Sequence, residues 1–344
     1  MPMRYRALAA VLSLTLLRAS GTAGHGSGSA AVSAQPPEEP LVLDTLALEV
    51  PSGTDTALAR TFAEALPGEM AKYGVELASV ELSFGTSPAA TAQALAEGGV
   101  DLAFLPAADF LRYGGGRAIL ADGEAVTLPE TEDPAAAVTA APLSPGERAE
   151  IVTAPTGYGR KLASRPEPSW EEIAHARWGV LAPGSRAGYR CLDLWLCDHY
   201  EDNGIADLPD VTVFESWEDL LRAAAEGDID ALPLGMSVRQ DYAALWRLAA
   251  DRTDEAGRRG LGRRDIQAEL PLLAETEGIA AQVAAVREGG GLEDPAFAFA
   301  LEASLRALLS PEQCLTLLGA EAFAPVEDTA LAPTRRALLA AGTA

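Results

Sequence analysis

Basic residues are scarce in this 344-residue chain, with 26 Lys and Arg against 50 Asp and Glu and a formal net charge of −24. A field of that sign repels phosphate backbones and anionic membrane surfaces, so nucleic-acid binding is excluded as a leading function. An anionic small ligand would need local compensation. Cysteine is also scarce: Cys191, Cys197 and Cys314 are an odd number, which leaves at least one outside any internal disulfide. Cys191 and Cys197 lie six apart on an expected helix, on different faces and too far apart to bridge. His25, His175 and His199 are scattered, and none stands in a C-x-x-C or H-x-x-x-H pattern, so no metal centre is indicated. Long apolar runs are missing too. The run Ala7 to Leu17 has 11 residues, where a spanning helix needs about 20. What the chain has is 48% hydrophobic residues, enough to bury a large core and to build two domains or lobes.

Arg4 and Arg6, the apolar run and the small residues through Ala31 form a secretory signal pattern, so residues 1–31 are expected to be a signal peptide and the protein extracytoplasmic. Leu17, Arg18, Ala19 and Ser20 look like a lipoprotein box with Ser in place of the lipid-accepting Cys, which does not support a lipid anchor. Cleavage near Ala31 would remove three arginines and no acid, taking the net charge from −24 to −27. Gly, Ser, Ala and Pro without apolar period make residues 32–40 a flexible leader.

The passage from Phe84 to Leu105 is echoed, without a gap and about 130 residues later, by Val213 to Leu234. Ser87, Ala94, Ala96, Glu97, Gly98, Val100 and Asp101 fall opposite Ser216, Ala223, Ala225, Glu226, Gly227, Ile229 and Asp230. Each copy reads as strand, Ser cap, helix, Gly stop, strand. Two copies suggest two similar lobes facing each other across a cleft, where small ligands bind. Around the repeat the pattern predicts strands at 41–50, 80–84, 100–105, 150–154, 178–181, 211–214 and 279–286, and a long loop at 127–145. Helices are expected after Pro51-Ser52-Gly53, at 170–174, from Ser185 onward, and at 295–309 and 311–318, with an Ala-rich amphipathic tail. The stretch 241–264 reads as a charged helix, and its run Arg258, Arg259, Arg263 and Arg264 as a solvated face paired with neighbouring acids. The division that follows is lobe 1 at 41–148 plus 240–344 and lobe 2 at 149–239.

In an open parallel sheet, ligands bind beyond the carboxyl ends of the strands, where helix amino termini expose N–H groups. Asp101 and Asp230 open their strands and so belong to the far end, in structural roles. The cleft edge carries Ser52, Thr86, Ser87, Asp109, Ser185, Arg186, Ala187, Gly188, Tyr189, Ser216, Trp217 and Ser237. Several are hydroxyl residues at helix starts, which can hold an oxyanion without a buried Lys. Arg186 adds a guanidinium fork, and Gly188 a close backbone approach.

At these residues a resemblance becomes specific. Pro51-Ser52, Gly85-Thr86-Ser87, Leu105-Pro106, Trp178 to Pro183, Ser185 to Tyr189 with Leu194-Trp195-Leu196, and Gly227 to Asp230 resemble the phosphate, phosphite and phosphonate solute-binding proteins of ABC importers. The resemblance implies an α/β, two-lobed periplasmic-binding-protein type 2 fold, each lobe a mostly parallel sheet flanked by helices, with a two-strand hinge. It further implies a monomer without cofactor, metal or catalytic residue, which passes a small anionic solute to a membrane permease. Ser52, Thr86, Ser87, Ser185 and Tyr189 take the positions of family ligand contacts. The chain departs from the pattern at Arg186, where a small hydroxyl residue is usual, at Pro88, at Ser237 in place of an acid, and at Trp217. Two alternatives stay open: a receptor-like ligand sensor or partner-binding protein not coupled to transport, and an enzyme on the same two-lobed fold, as in porphobilinogen deaminases, for which Cys191 and Cys197 are the residues at hand.

Overall fold

The computed structural model describes residues 40–125, 143–326 and 329–340. The chain divides into two compact units, Met1–Gln35 and Pro36–Ala344, and every described residue lies in the second. The expected signal peptide, nearly all of the leader and most of the 127–145 loop fall outside the described residues.

Lobe 1 begins with strand β1 (Leu41–Val50), helix α1 (Thr56–Met70), β2 (Val75–Phe84), α2 (Pro88–Ala96), β3 (Leu102–Pro106), α3 (Ala107–Tyr113), β4 (Arg117–Ala125) and β5 (Leu143–Pro145). The chain then crosses to lobe 2, with β6 (Ala149–Thr153), α4 (Gly157–Leu162), α5 (Trp170–Ala174), β7 (Trp178–Val180), a π-helical turn Arg186–Arg190 running into α6 (Cys191–His199), β8 (Val211–Val213), α7 (Trp217–Glu226) and β9 (Ala231–Gly235). Lobe 2 continues through α8 (Val238–Asp241), α9 (Ala243–Arg247), α10 (Ile266–Glu269) and β10 (Leu272–Glu275). A second crossing returns the chain to lobe 1 for β11 (Gln282–Val286), α11 (Pro295–Leu308), α12 (Pro311–Leu318), β12 (Phe323–Pro325) and α13 (Ala332–Ala340).

The two sheets, of seven and five strands, share a five-strand arrangement. Sheet 1 runs β12-β4-β11-β3-β1-β2 and sheet 2 runs β10-β6-β9-β7-β8. In each, three parallel strands (β3-β1-β2 and β9-β7-β8) continue on one side through antiparallel pairings, to β11, β4 and β12 in sheet 1, where β5 also pairs with β4, and to β6 and β10 in sheet 2. The first antiparallel strand of each sheet, β11 or β6, is the one that has just crossed from the other lobe. It therefore starts beside the carboxyl ends of the parallel strands, which places both crossings at the cleft end. This is the two-lobed α/β fold, joined by two strand connections, that the sequence predicts.

The repeat units occupy equivalent places. Ser87 and Ser216 cap their helices, accepting from Ala90 N at 3.2 Å and Asp219 N at 3.1 Å. Gly98 and Gly227 take φ of 78° and 84°, a left-handed conformation that costs other residues energy and so stops both helices. The strand that follows each helix is buried on both faces. Leu102 and Phe104 enter one apolar cluster with α1 and α11, while Ala103 and Leu105 face another with α2 and α3. In lobe 2, Ala231 packs with Trp178 and Ile151, and Leu232 and Leu234 pack with Leu220 and Trp246.

Asp101 and Asp230 have the structural role expected of them. Asp101 accepts from Ala47 N at 2.8 Å and is ion-paired with Arg287. Asp230 accepts from Arg177 N at 3.1 Å, Nε at 2.9 Å and Nη2 at 3.0 Å. Each carboxylate thus ties the start of its strand to a neighbour at the end away from the cleft.

Two expectations are corrected. The stretch 241–264 is not one helix: α9 ends at Leu248, whose backbone is extended, and hydrogen-bonded turns containing Gly257, Gly260 and Gly262 follow. Nor does this stretch belong to lobe 1. Trp246, Ile266 and Leu270 are buried with Val152 and Leu232, and β10 pairs with β6, so lobe 2 runs on to Glu275. The apolar anchors outweigh the charges between them.

Burial works against the Asp230 carboxylate, but the Arg177 side chain, the N–H groups of Arg177 and Gly159 and the Arg177 charge outweigh it, so its pKa is lowered. A lowered folded pKa means the stabilisation is fully present above the unfolded carboxyl value of about 3.9 and is lost as pH falls through the folded value. Asp230→Ala should cost about 2 kcal/mol in urea unfolding at pH 7, less than a fully buried pair because the Arg177 side chain is 40% exposed. The cost should shrink below about pH 4.

Candidate ligand cleft

At the carboxyl ends of β1, β2 and β3 lies a cavity of about 280 Å³. Its wall includes Ser52, Gly53 and Thr54 between β1 and α1, Ser87, Pro88 and Thr91 of α2, Pro106, Gln282 and the end of α12. Among the described residues, no Lys or Arg lines it. Parallel strands end here, so the turns that leave them present hydroxyls and the first N–H groups of the following helices. Thr54 Oγ1 donates to Pro51 O at 2.7 Å, and Thr91 Oγ1 donates to Ser87 O at 3.2 Å, which fixes both loops. Gln282 Oε1 is buried in the wall with no hydrogen-bond partner among the described residues.

The two repeat copies differ in charge at this end. The first turn of α2 holds no acid, whereas that of α7 holds Glu218 and Asp219. An acid in the first turn already satisfies the positive end of the helix dipole. The amino terminus of α2 thus carries no acid of its own to offset that positive end.

Of the candidate ligand contacts predicted from the sequence, Ser52 and Ser87 line this wall, together with Pro51, Leu105 and Pro106 of the resemblance motifs. Thr86 is exposed at the turn before α2, and Asp109 is half-buried in the first turn of α3. The lobe 2 residues gather elsewhere. Ala187, Trp217 and Val238 all come within 4 Å of the place where a Cβ on Gly235 would stand. Ser185 Oγ accepts from Gly188 N at 3.0 Å, and Gly188 packs against Leu181. The hydroxyls of Ser216 and Ser237 point to carboxylates, Asp219 Oδ2 at 2.6 Å and Asp241 Oδ2 at 2.8 Å. Tyr189 packs on the Trp178 cluster, and burial raises its pKa.

Arg186 is the main departure from expectation. Its fork does not stand open for an oxyanion. Nη1 donates to Asp122 Oδ2 at 2.6 Å, and Nε pairs with Glu147 Oε2 at 2.8 Å. Burial works against the guanidinium, yet Asp122 and Glu147 more than compensate, and its pKa is raised. The other Glu147 oxygen accepts from Ala187 N at 3.3 Å. Thr54, Thr91, Gln282, Asp122 and Glu147 were all missed from the sequence. Thr91 was within reach, one helical turn beyond Ser87 on the same face. Asp122 and Gln282 carry no local signal, because only the fold brings their strands together.

Cys191, Cys197 and Cys314 form no disulfide. Burial pushes the Cys314 thiol up to about 12, and burial with nearby Asp193 raises that of Cys197, which suits neither for nucleophilic work. In the basic run, Arg258 pairs with Asp254 and Arg263 with Glu269, as a solvated face would. Among the described residues no His, Cys, Asp and Glu cluster could hold a metal ion, and no helix is long and apolar enough to cross a membrane.

No protein-family model and no curated protein matches the chain. Solved structures do. A binding protein component of an ABC phosphonate transporter from Pseudomonas aeruginosa is 15% identical, with 86% of each chain covered and a TM-score of 0.34. PhnD1 from Prochlorococcus marinus, in complex with methylphosphonate, is 11% identical over 88% of this chain and 99% of its own, with a TM-score of 0.32. Transferrin 1 from Manduca sexta is 13% identical over 87% of this chain, which spans 47% of that protein, with a TM-score of 0.48.

Gly85, buried before the Ser87 cap, has no room for a side chain: a Cβ would stand 2.3 Å from Thr91 Oγ1 and 3.1 Å from Glu49 Oε1. Gly85→Ala should therefore shift the α2 start and cost about 1–3 kcal/mol, read as a lower urea midpoint at unchanged slope.

Proposed function

We propose that this chain is an extracytoplasmic solute-binding protein of an ABC importer. In this reading it works as a monomer, holds a small phosphorus oxyanion (phosphonate, phosphate or phosphite) in the cleft and delivers it to a membrane permease without chemical change. The observation that carries the reading is the cavity at the acid-free start of α2, rimmed by Ser52, Thr54, Ser87 and Thr91, with no cation among its described residues. Hydroxyls and helix N–H groups are the donors that suit a tetrahedral oxyanion. The unpartnered Gln282 Oε1 suits a ligand that also brings a proton, as a monoprotonated phosphorus oxyanion does. The basic and apolar start of the sequence supports export. With Arg186 committed to Asp122 and Glu147, the donors proposed for the anion are the wall hydroxyls of Ser52 and Ser87 and the first amide N–H of α2, that of Ala89, because Pro88 has none.

Isothermal titration with phosphate, phosphite, methylphosphonate and 2-aminoethylphosphonate should show saturable heat with at least one of them and no turnover. Ser87→Ala should weaken that ligand about tenfold, the worth of one hydrogen bond to a charged group. No heat and no thermal shift with all four would remove the oxyanion reading.

A further inference from the structure

Lobe 2 is fastened to lobe 1 and to the crossings at two separate points. The first is Arg186, in the π-helical turn that leads into α6 of lobe 2. It reaches Asp122 on β4 of lobe 1, Glu147 on the first crossing, and Ile279 O on the second at 3.3 Å. The second point is α13. This helix packs on α3 of lobe 1 and on α6 of lobe 2, and its Arg336 bonds Asp198 of α6 at 2.7 Å and pairs with Glu277 on the second crossing. Thr334 Oγ1 of α13 also accepts from Ala280 N, in the middle of that crossing, at 2.9 Å. Between the two points Ala149, Ala187, Cys191, Ile279 and Ala337 form a buried apolar cluster drawn from both crossings, lobe 2 and α13.

The crossings are where a two-lobed protein must flex, because a few residues there absorb the backbone rotation of opening. Here those residues are clamped to one another and by partners from outside the crossings. Glu147 and Ile279 exchange both backbone hydrogen bonds, at 3.1 and 2.9 Å, while Asp122 takes Ala281 N at 2.7 Å and Thr334 takes Ala280 N. Arg186–Asp122 and Arg336–Asp198 each join a lobe 2 residue to one outside lobe 2, on β4 or α13, and they are the contacts that the proposed opening of the cleft would part.

We infer that α13 is a strap, and that with Arg186 it forms a two-point latch holding the lobes together with no solute bound. The inference rests on the two-lobed fold and not on any ligand. A solute then meets a protein whose closed form is already the favoured one, and its entry depends on transient release of the latch.

The test is small-angle X-ray scattering on the full mature chain without solute. Arg186→Ala with Arg336→Ala should give a larger radius of gyration and a longer tail in the pair-distance distribution than the wild type. Arg186→Lys with Arg336→Lys should stay close to wild type. Should the double Ala variant fail to give a cooperative melt, Asp122→Asn with Asp198→Asn replaces it with the same expectation, since the amide oxygen introduced on β4 can still accept from the N–H groups of Ala281 and Gln282. A wild type as extended as the latch variant, or a folded latch variant no larger than wild type, overturns the inference.

Discussion

The carboxylate of Asp122 is shared by three groups from two parts of the chain, and the cleft depends on that sharing. Its Oδ1 takes the N–H groups of Ala281 and Gln282, at 2.7 and 3.2 Å, where the chain re-enters lobe 1. Its Oδ2 takes the Arg186 guanidinium from lobe 2. A crossing strand leaves one sheet before it joins the next, so its amides lack ladder partners there and need them from side chains. Asp122 supplies them, and the same oxygens set where Gln282 enters the cavity wall. The entry of Gln282 into the cavity wall and the first of the two fastenings of the lobes thus meet at one side chain.

The duplicated unit shows how one scaffold presents two chemistries. At the far end the copies agree: Asp101 with Arg287 and Asp230 with Arg177 tie the start of each repeated strand to a neighbour. At the cleft end they part. Both helices keep the Ser cap, a local requirement of any helix start. Beyond the cap, α2 offers Pro88 and a Thr, while α7 offers Trp217 and two acids. The amino terminus without a first-turn acid is accordingly in lobe 1, and the lobe 2 copy supplies packing, through Trp217, beside Gly235 and Ala187.

Features fixed by a few neighbouring residues were legible in the sequence: the Ser caps, the Gly stops, the parallel strands of each repeat and the sorting of residues into cleft end and far end. Features fixed by distant pairings were not. Arg186 looked like an anion fork because its own helix start suited one, and nothing near it in sequence announces Asp122 or Glu147. The stretch after Asp241 looked like a solvated helix of lobe 1 because its charges dominate the count, yet Trp246, Ile266 and Leu270 decide its place by burial. Charge is abundant there but stays at the surface at little cost, whereas one buried indole contributes more than several exposed ion pairs.

The strong negative charge of the chain and the proposed anionic ligand are compatible for the same reason. Net charge acts over distance and is screened beyond about 8 Å at physiological ionic strength. Within the cavity the field comes from the groups in its wall: hydroxyls, amides at a helix start and an unpartnered Gln282 carbonyl, with no carboxylate among the described residues that line it. Arg186 and Arg336 are not open to a ligand's charge, since each holds two carboxylates. In the proposed reading Arg186 and Arg336 fasten the lobes, and neutral donors are left to recognise the solute. A site built that way discriminates by geometry and proton count more than by charge, because moving one hydrogen on the ligand exchanges a donor for an acceptor against a fixed wall.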